Sequence, residues 1–182
     1  DIWLSTTYAR AGEGGTGAAK CGGNYAASMI AQTEGEKHGC KQVIFKDPHR
    51  GDAIEELGGM NVFFIFGKEN KIVTPELTGT ILEGVTRSSL IQLAKDRGMT
   101  VEERAITLTE WREGVANGDI TEIFACGTAA VVAPIGKLKA EDFEIPAPTE
   151  HFGEISKSLR EELVGIQLGT VEDRHGWMTR LI

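Results

Sequence analysis

Gly14-Gly15-Thr16-Gly17-Ala18-Ala19-Lys20-Cys21-Gly22-Gly23-Asn24-Tyr25 sets one amine among five glycines, with a phenol five residues after it. Glycines let the backbone reach positive φ and let a ligand approach closely, and they build poor helices and strands. By themselves these residues leave two readings open: a site centred on Lys20, or a flexible loop with a solvated lysine. Two nucleotide motifs also pass nearby. Gly12-Glu13-Gly14-Gly15-Thr16-Gly17 satisfies GxGxxG, but a dinucleotide fold starts its helix inside that pattern. Gly22 and Gly23 would then fall in the helix interior at about 1 kcal/mol each. A P-loop needs its lysine directly after the second glycine and then Ser or Thr for magnesium, whereas Lys20 comes three residues after Gly17 and precedes Cys21.

Outward from this stretch, helical and strand patterns alternate. Asn24 is expected to cap a helix over about 25–37 with Ala26, Met29, Ile30 and Thr33 on its buried face, stopped by Gly39. Val43-Ile44-Phe45 reads as a short strand and Ile54 to Asn61 as a turn-rich segment. Val62-Phe63-Phe64-Ile65-Phe66 reads as a strand apolar on both faces, as a sandwiched sheet requires. A turn at Gly67-Lys68-Glu69-Asn70 makes a hairpin with Lys71-Ile72-Val73-Thr74. Gly84-Val85-Thr86 opens a helix carrying Leu90, Ile91, Leu93 and Ala94 on one face, with Gly98 as its stop. Val101 to Ile106 is a strand, and Thr107 with Glu110 forms a capping box before a short helix around Trp111. Glu122 to Cys126 is a strand that Val131-Val132-Ala133 continues beyond Gly127-Thr128-Ala129-Ala130. A last helix, about 156–168, places Leu159, Leu163 and Ile166 on one face and ends at Gly169. This alternation with a hairpin predicts a mixed sheet and the α/β class.

The 182 residues suit one domain with a real core. The chain opens at Asp1 on what reads as a strand in progress, Ile2 to Arg10, so a domain upstream of it is expected. With 41% hydrophobic and 25% charged residues, no apolar run approaches the roughly 18 residues that span a bilayer, and no membrane association is expected. A net charge of −8 and scattered basic residues argue against a nucleic-acid surface, leaving a small ligand or a protein partner. Cys21, Cys40 and Cys126 are odd in number and form no CxxC, which points to reduced thiols in the cytoplasm. His38, His49, His151 and His175 are dispersed, so no metal site is expected.

Four segments then decide the reading: Ala19-Lys20-Cys21-Gly22-Gly23-Asn24-Tyr25, Glu55-Glu56-Leu57-Gly58-Gly59-Met60-Asn61-Val62-Phe63, Leu82-Glu83-Gly84-Val85-Thr86-Arg87 and Cys126-Gly127-Thr128-Ala129-Ala130. In this order and spacing the chain resembles the branched-chain aminotransferases, pyridoxal-phosphate enzymes of fold type IV, and the similarity runs to the closing Gly176-Trp177-Met178. The resemblance implies an α/β fold with a mixed-sheet pseudo-barrel. Residues 1–182 would be the large C-terminal, cofactor-binding domain, with the small N-terminal domain outside this chain. It implies transfer of an amino group between leucine, isoleucine or valine and 2-oxoglutarate, giving glutamate, through pyridoxal 5′-phosphate in a homodimer. A D-amino-acid aminotransferase or an aminodeoxychorismate lyase would share the same lysine and glutamate. A non-catalytic nucleotide-binding domain is the rival from another class.

The site residues follow from the same resemblance. Lys20 matches the lysine that bonds the cofactor aldehyde and shuttles a proton, and Glu56 the carboxylate that keeps the pyridine nitrogen protonated. Glu55 is its solvated neighbour. Tyr25 matches the tyrosine that hydrogen-bonds the cofactor's phenolic oxygen, and Arg10 an arginine position of the family. Gly84, Val85 and Thr86 offer helix-start amides to the phosphate, joined by Thr128. Thr128 and Ala129 match the turn whose amides help to hold the substrate carboxylate. Three residues depart from the family pattern. Met60 stands where many bacterial members carry glutamate, as in the actinobacterial and eukaryotic branch. Glu83 replaces a common proline, and Cys126 replaces a serine.

Overall fold

The computed structural model describes residues 1–181. β1 (Ile2–Ser5) leads through the glycine loop into α1 (Gly22–Lys37) and returns as β2 (Gln42–Lys46), parallel to β1 with Trp3 opposite Val43. β3 (Ile54–Leu57) turns back antiparallel to β2. β4 (Asn61–Phe66) and β5 (Lys71–Thr74) form the expected hairpin, and α2 (Val85–Asp96) carries the chain over to β6 (Thr100–Glu103), parallel to β5. Then come α3 (Leu108–Ala116), β7 (Ile120–Gly127), β8 (Val131–Pro134), β9 (Leu138–Lys139), β10 (Glu144–Ile145) and α4 (Glu154–Leu168). Among the described residues the strands form two five-stranded mixed sheets, β10-β9-β1-β2-β3 and β6-β5-β4-β7-β8.

The period-2 geometry of the strands explains the layers. Val62, Phe64 and Phe66 of β4 meet Leu4, Ile44 and Leu57 of the first sheet in a core between the sheets. Phe63 and Ile65 point the other way, onto Leu90, Leu93, Leu159 and Leu163 of α2 and α4. α1 covers the far face of the first sheet, where Ala31 packs with Trp3, Val43 and Phe45. A strand apolar on both faces is thus sandwiched as the sequence predicts, and the two facing sheets make the pseudo-barrel.

Five local expectations need correction. Asn24 does not cap α1: the helix starts at Gly22 after Cys21, without a side-chain cap. The buried face of α1 carries Asn24, Ser28, Ala31 and Gly35, while Met29 is 69% exposed and Ile30 52% exposed. Small residues win that face because the helix lies against Trp3, whose Cβ would sit 2.9 Å from a Cβ at position 35. Ile54 to Leu57 is a fully buried strand rather than a turn, since its backbone completes the edge of the first sheet. Residues 131–133 do not continue β7. The chain reverses after Gly127, and β8 pairs antiparallel with β7, Val131 opposite Gly127. The capping box is half realised: Thr107 accepts from the Glu110 amide at 3.0 Å, but the Glu110 carboxylate pairs with Arg104.

Candidate active site

Lys20 lies in the β1–α1 crossover, and the loop that carries it is tied down. Gly17 is buried where a Cβ would come within 2.3 Å of the Thr80 carbonyl oxygen, so only glycine permits this approach. The Ala18 amide donates to Gly79 O at 3.0 Å. Arg10, 2% exposed, donates through Nη1 to Thr80 O at 3.0 Å and to Gly17 O at 3.4 Å. Asn24, buried in the first turn of α1, donates to the carbonyls of Thr16 and Ala19, each at 2.8 Å, and accepts from the Thr16 hydroxyl at 2.7 Å. The solvated floppy loop is therefore not what forms. The amine of Lys20 stands exposed at the end of a braced turn.

Glu56 comes from β3 and is 2% exposed. Its Oε1 receives Arg10 Nη1 at 2.8 Å and the Leu82 amide at 2.9 Å; its Oε2 receives only the Asn61 side-chain amide, at 3.2 Å. Burial pushes its carboxyl up to about 7, against the pull of Arg10 and the Leu82 amide. A carboxylate has about four acceptor positions, so Oε2 keeps capacity for a donor from the cavity. Asn61 also donates to Leu82 O at 3.0 Å, which fixes the loop leading to α2.

At the start of α2 the first intrahelical bond runs from the Ser88 amide to Gly84 O at 3.0 Å. The amides of Val85, Thr86 and Arg87 therefore have no acceptor within the helix, and they sit at its positive end. Gly84 presses so closely on Asn61 that a Cβ there would lie 2.3 Å from Oδ1. Arg87, 3% exposed, donates to Pro75 O and pairs with Glu103, each at 2.9 Å, and brings a second buried cation to this end of the site. Opposite, Val131 closes the β7–β8 turn at φ 57, a left-handed conformation that strains a β-branched residue.

Lys20, Glu56, Gly84, Val85, Thr86 and Thr128 line one cavity of about 180 Å³. All four sequence segments thus converge. The three departing residues, Met60, Glu83 and Cys126, line it too. Burial raises the Cys126 thiol to about 12, which keeps it protonated and unreactive. Three expected residues stand off the cavity wall. Arg10 is buried behind Glu56. Tyr25 is half-buried and borders a neighbouring groove with Met29, its ring centroid 5.9 Å from the Arg10 guanidinium. Ala129 is exposed in the β7–β8 turn. Asn61 and Arg87 are the polar residues of the site to which the sequence assigned no role, and Asn61 was visible as the one polar side chain opening an apolar strand.

An amine, a buried carboxylate with a free acceptor position, helix-start amides and a threonine-bearing turn thus surround one cavity. The family description "Amino-transferase class IV" matches residues 7–138, and the chain belongs to this family. It is similar, at 52% identity over 182 residues, to a branched-chain-amino-acid aminotransferase of Mycolicibacterium smegmatis, the match covering 99% of this chain and 50% of that protein. A probable branched-chain-amino-acid aminotransferase of Streptomyces coelicolor is 49% identical over 180 residues, covering 99% of this chain and 49% of that one. The chain thus spans about half the length of the curated relatives it matches. Among solved structures, the branched-chain amino acid aminotransferase of Escherichia coli aligns with a TM-score of 0.80 at 28% identity, over 99% of this chain and 56% of that one. That of Thermobaculum terrenum, in its PLP form, aligns with a TM-score of 0.79 at 29% identity, over 98% of this chain and 54% of that one.

Proposed function

We propose that this chain is the cofactor-binding part of a branched-chain-amino-acid transaminase that uses pyridoxal 5′-phosphate and passes the amino group to 2-oxoglutarate. The observation that carries the proposal is the convergence of Lys20, Glu56, Thr86 and Thr128, from four separate segments, on one cavity. When bound, the cofactor supplies an aldehyde for an amine and a ring that draws electrons from the substrate Cα. Lys20 Nζ is the amine beside the cavity, and it takes and returns the proton at Cα. Glu56 would keep the ring nitrogen protonated by accepting its N–H hydrogen bond at Oε2, with Arg10 and Leu82 fixing Oε1. The free amides of Val85, Thr86 and Arg87 bind the phosphate with Thr128. The Thr128 and Ala129 amides bind the substrate carboxylate. Tyr25, half-buried beside Arg10, is assigned to the phenolic oxygen. A homodimer in the cytoplasm, with the small domain supplied by chain outside these residues, completes the proposal.

The test is transfer from L-leucine, L-isoleucine or L-valine to 2-oxoglutarate, followed as glutamate formed, with D-alanine and aminodeoxychorismate as competing substrates. Lys20→Ala should abolish transfer while the folded spectrum persists. Turnover of the competing substrates in place of the branched L-amino acids would reassign the activity within the family, and full turnover by Lys20→Ala would overturn it.

A further inference from the structure

Beside the Glu56 carboxylate stands a second buried acid with no assigned role. Glu55 is 2% exposed, and neither of its carboxylate oxygens meets a hydrogen-bond partner. It is not the solvated neighbour that the sequence suggests. Thr80's hydroxyl stands near enough to favour the charged form of Glu55, but it is shared with Thr78 Oγ1 at 2.7 Å.

The charges that face Glu55 can be named. Arg10 and His49 favour its ionised form, while Asp47 opposes it; Glu56, next in the strand, feels Glu55 as a like charge. Arg10 is the buried cation of this set, and its Nη1 is engaged by Glu56, Thr80 O and Gly17 O. Its Nε, also buried, has no partner. Two buried carboxylates thus share the Arg10 guanidinium, the second buried cation, Arg87, favours ionised Glu56, and both acids cannot be ionised at low cost. Glu56 accepts from three donors, whereas Glu55 has only the nearby Thr80 hydroxyl, so the proton belongs on Glu55. Burial pushes both carboxyls up to about 7, so the donors around each decide which keeps the proton.

We propose that Glu55 is a positioning residue: it stays a neutral carboxylic acid, which leaves the Arg10 charge undivided for Glu56 and keeps Glu56 the anion that faces the cavity. Losing that proton makes Glu55 a competitor for Arg10, with the unpaired Nε–H as the donor it claims. Glu56 is then held less firmly, and its grip on a protonated ring nitrogen loosens. The last step rests on the function proposed above; the protonation pattern does not.

The experiment has two arms. Infrared difference spectra of the unloaded protein, titrated between about pH 5 and about pH 9, read the carbonyl stretch of a buried protonated carboxyl. As the pH rises, the last such band to bleach in the wild type should be absent in Glu55→Gln and retained in Glu56→Gln. A band lost in Glu56→Gln and kept in Glu55→Gln, or no band at all, would overturn the assignment. If Glu55→Gln does not fold, the Glu56→Gln spectrum decides alone. In the second arm, the wild-type rate with L-leucine should fall several-fold between about pH 6.5 and about pH 8.5, and Glu55→Gln should flatten that limb while matching the wild type at the lower pH. A limb unchanged by Glu55→Gln overturns the coupling to Glu56. Loss of all leucine transfer with the infrared pattern intact would instead count against the proposed function.

Discussion

Replacing Arg10 with Met keeps most of the side-chain volume and removes the charge that three partners share. Arg10 Nη1 bonds Glu56 Oε1 at 2.8 Å, Thr80 O at 3.0 Å and Gly17 O at 3.4 Å, all within a buried side chain. Breaking a buried pair by deleting one partner costs about 3–5 kcal/mol, because the other charge stays behind unpaired. For a domain of this size each kcal/mol lowers the Tm by roughly 2–4 °C, so a loss of roughly 6–20 °C is expected. The pH dependence identifies the cause. The Glu56 carboxyl is raised from 4.5 to about 7 in the folded protein. The folded state therefore binds more protons than the unfolded one, and stability falls as the pH rises through that window. Without Arg10 the carboxyl rises further, so the penalty is full in alkaline solution. In acid it shrinks to the two lost carbonyl bonds, at about 1 kcal/mol each. Thermal unfolding followed by circular dichroism at about pH 5.5 and about pH 8.5 measures both values. A Tm loss under about 3 °C at the higher pH, or an equal loss at both, would show that Arg10 is not the counter-charge of Glu56.

Three further outcomes are expected. Thr86→Pro removes one of the free amides of α2 at a position that tolerates proline, so it should weaken binding of pyridoxal 5′-phosphate by about tenfold, while Val85→Ala, which keeps its amide, should leave it within about twofold in a fluorescence titration. Gly17→Ala would drive a methyl to 2.3 Å from Thr80 O; it should destabilise the protein by about 1–3 kcal/mol and lower the pyridoxal-phosphate affinity with it, and an unchanged urea midpoint would show that the loop is not seated there. A thiol reagent on the native protein should label Cys21, which is partly exposed and whose thiol is lowered first by the Thr16 side chain, and spare Cys40 and Cys126, which are buried. Peptide mapping that finds Cys126 modified as fast as Cys21 would contradict the described burial.

The residues of the cavity were legible because chemistry fixes them in short segments: an amine among glycines, a carboxylate before a glycine turn, a helix start and a threonine turn. Their convergence was legible only through the resemblance, since residues 20, 56, 86 and 128 share no periodicity that would bring them together. Strands with uniform burial, such as Val62 to Phe66, were also readable. What failed depends on the partner surface. The apolar residues of α1 seemed to define its buried face, but the helix packs closely on Trp3 and uses Ala31 and Gly35 instead. Glu55-Glu56 looked like a polar turn, because a strand that buries two acids is tolerable only with Arg10 beside them, 45 residues away from Glu55 in sequence. The reversal at Thr128 was hidden because it ends on Val131, a residue type that rarely adopts a positive φ.

We propose Lys20 as the residue that bonds the cofactor aldehyde. The most direct test is to incubate the protein with pyridoxal 5′-phosphate, reduce with borohydride, digest and locate the phosphopyridoxyl group by mass spectrometry. A single adduct is expected on the peptide carrying Lys20, suppressed by excess inorganic phosphate competing at the α2 start. An adduct concentrated on any other lysine, or spread evenly over the surface lysines, would contradict it.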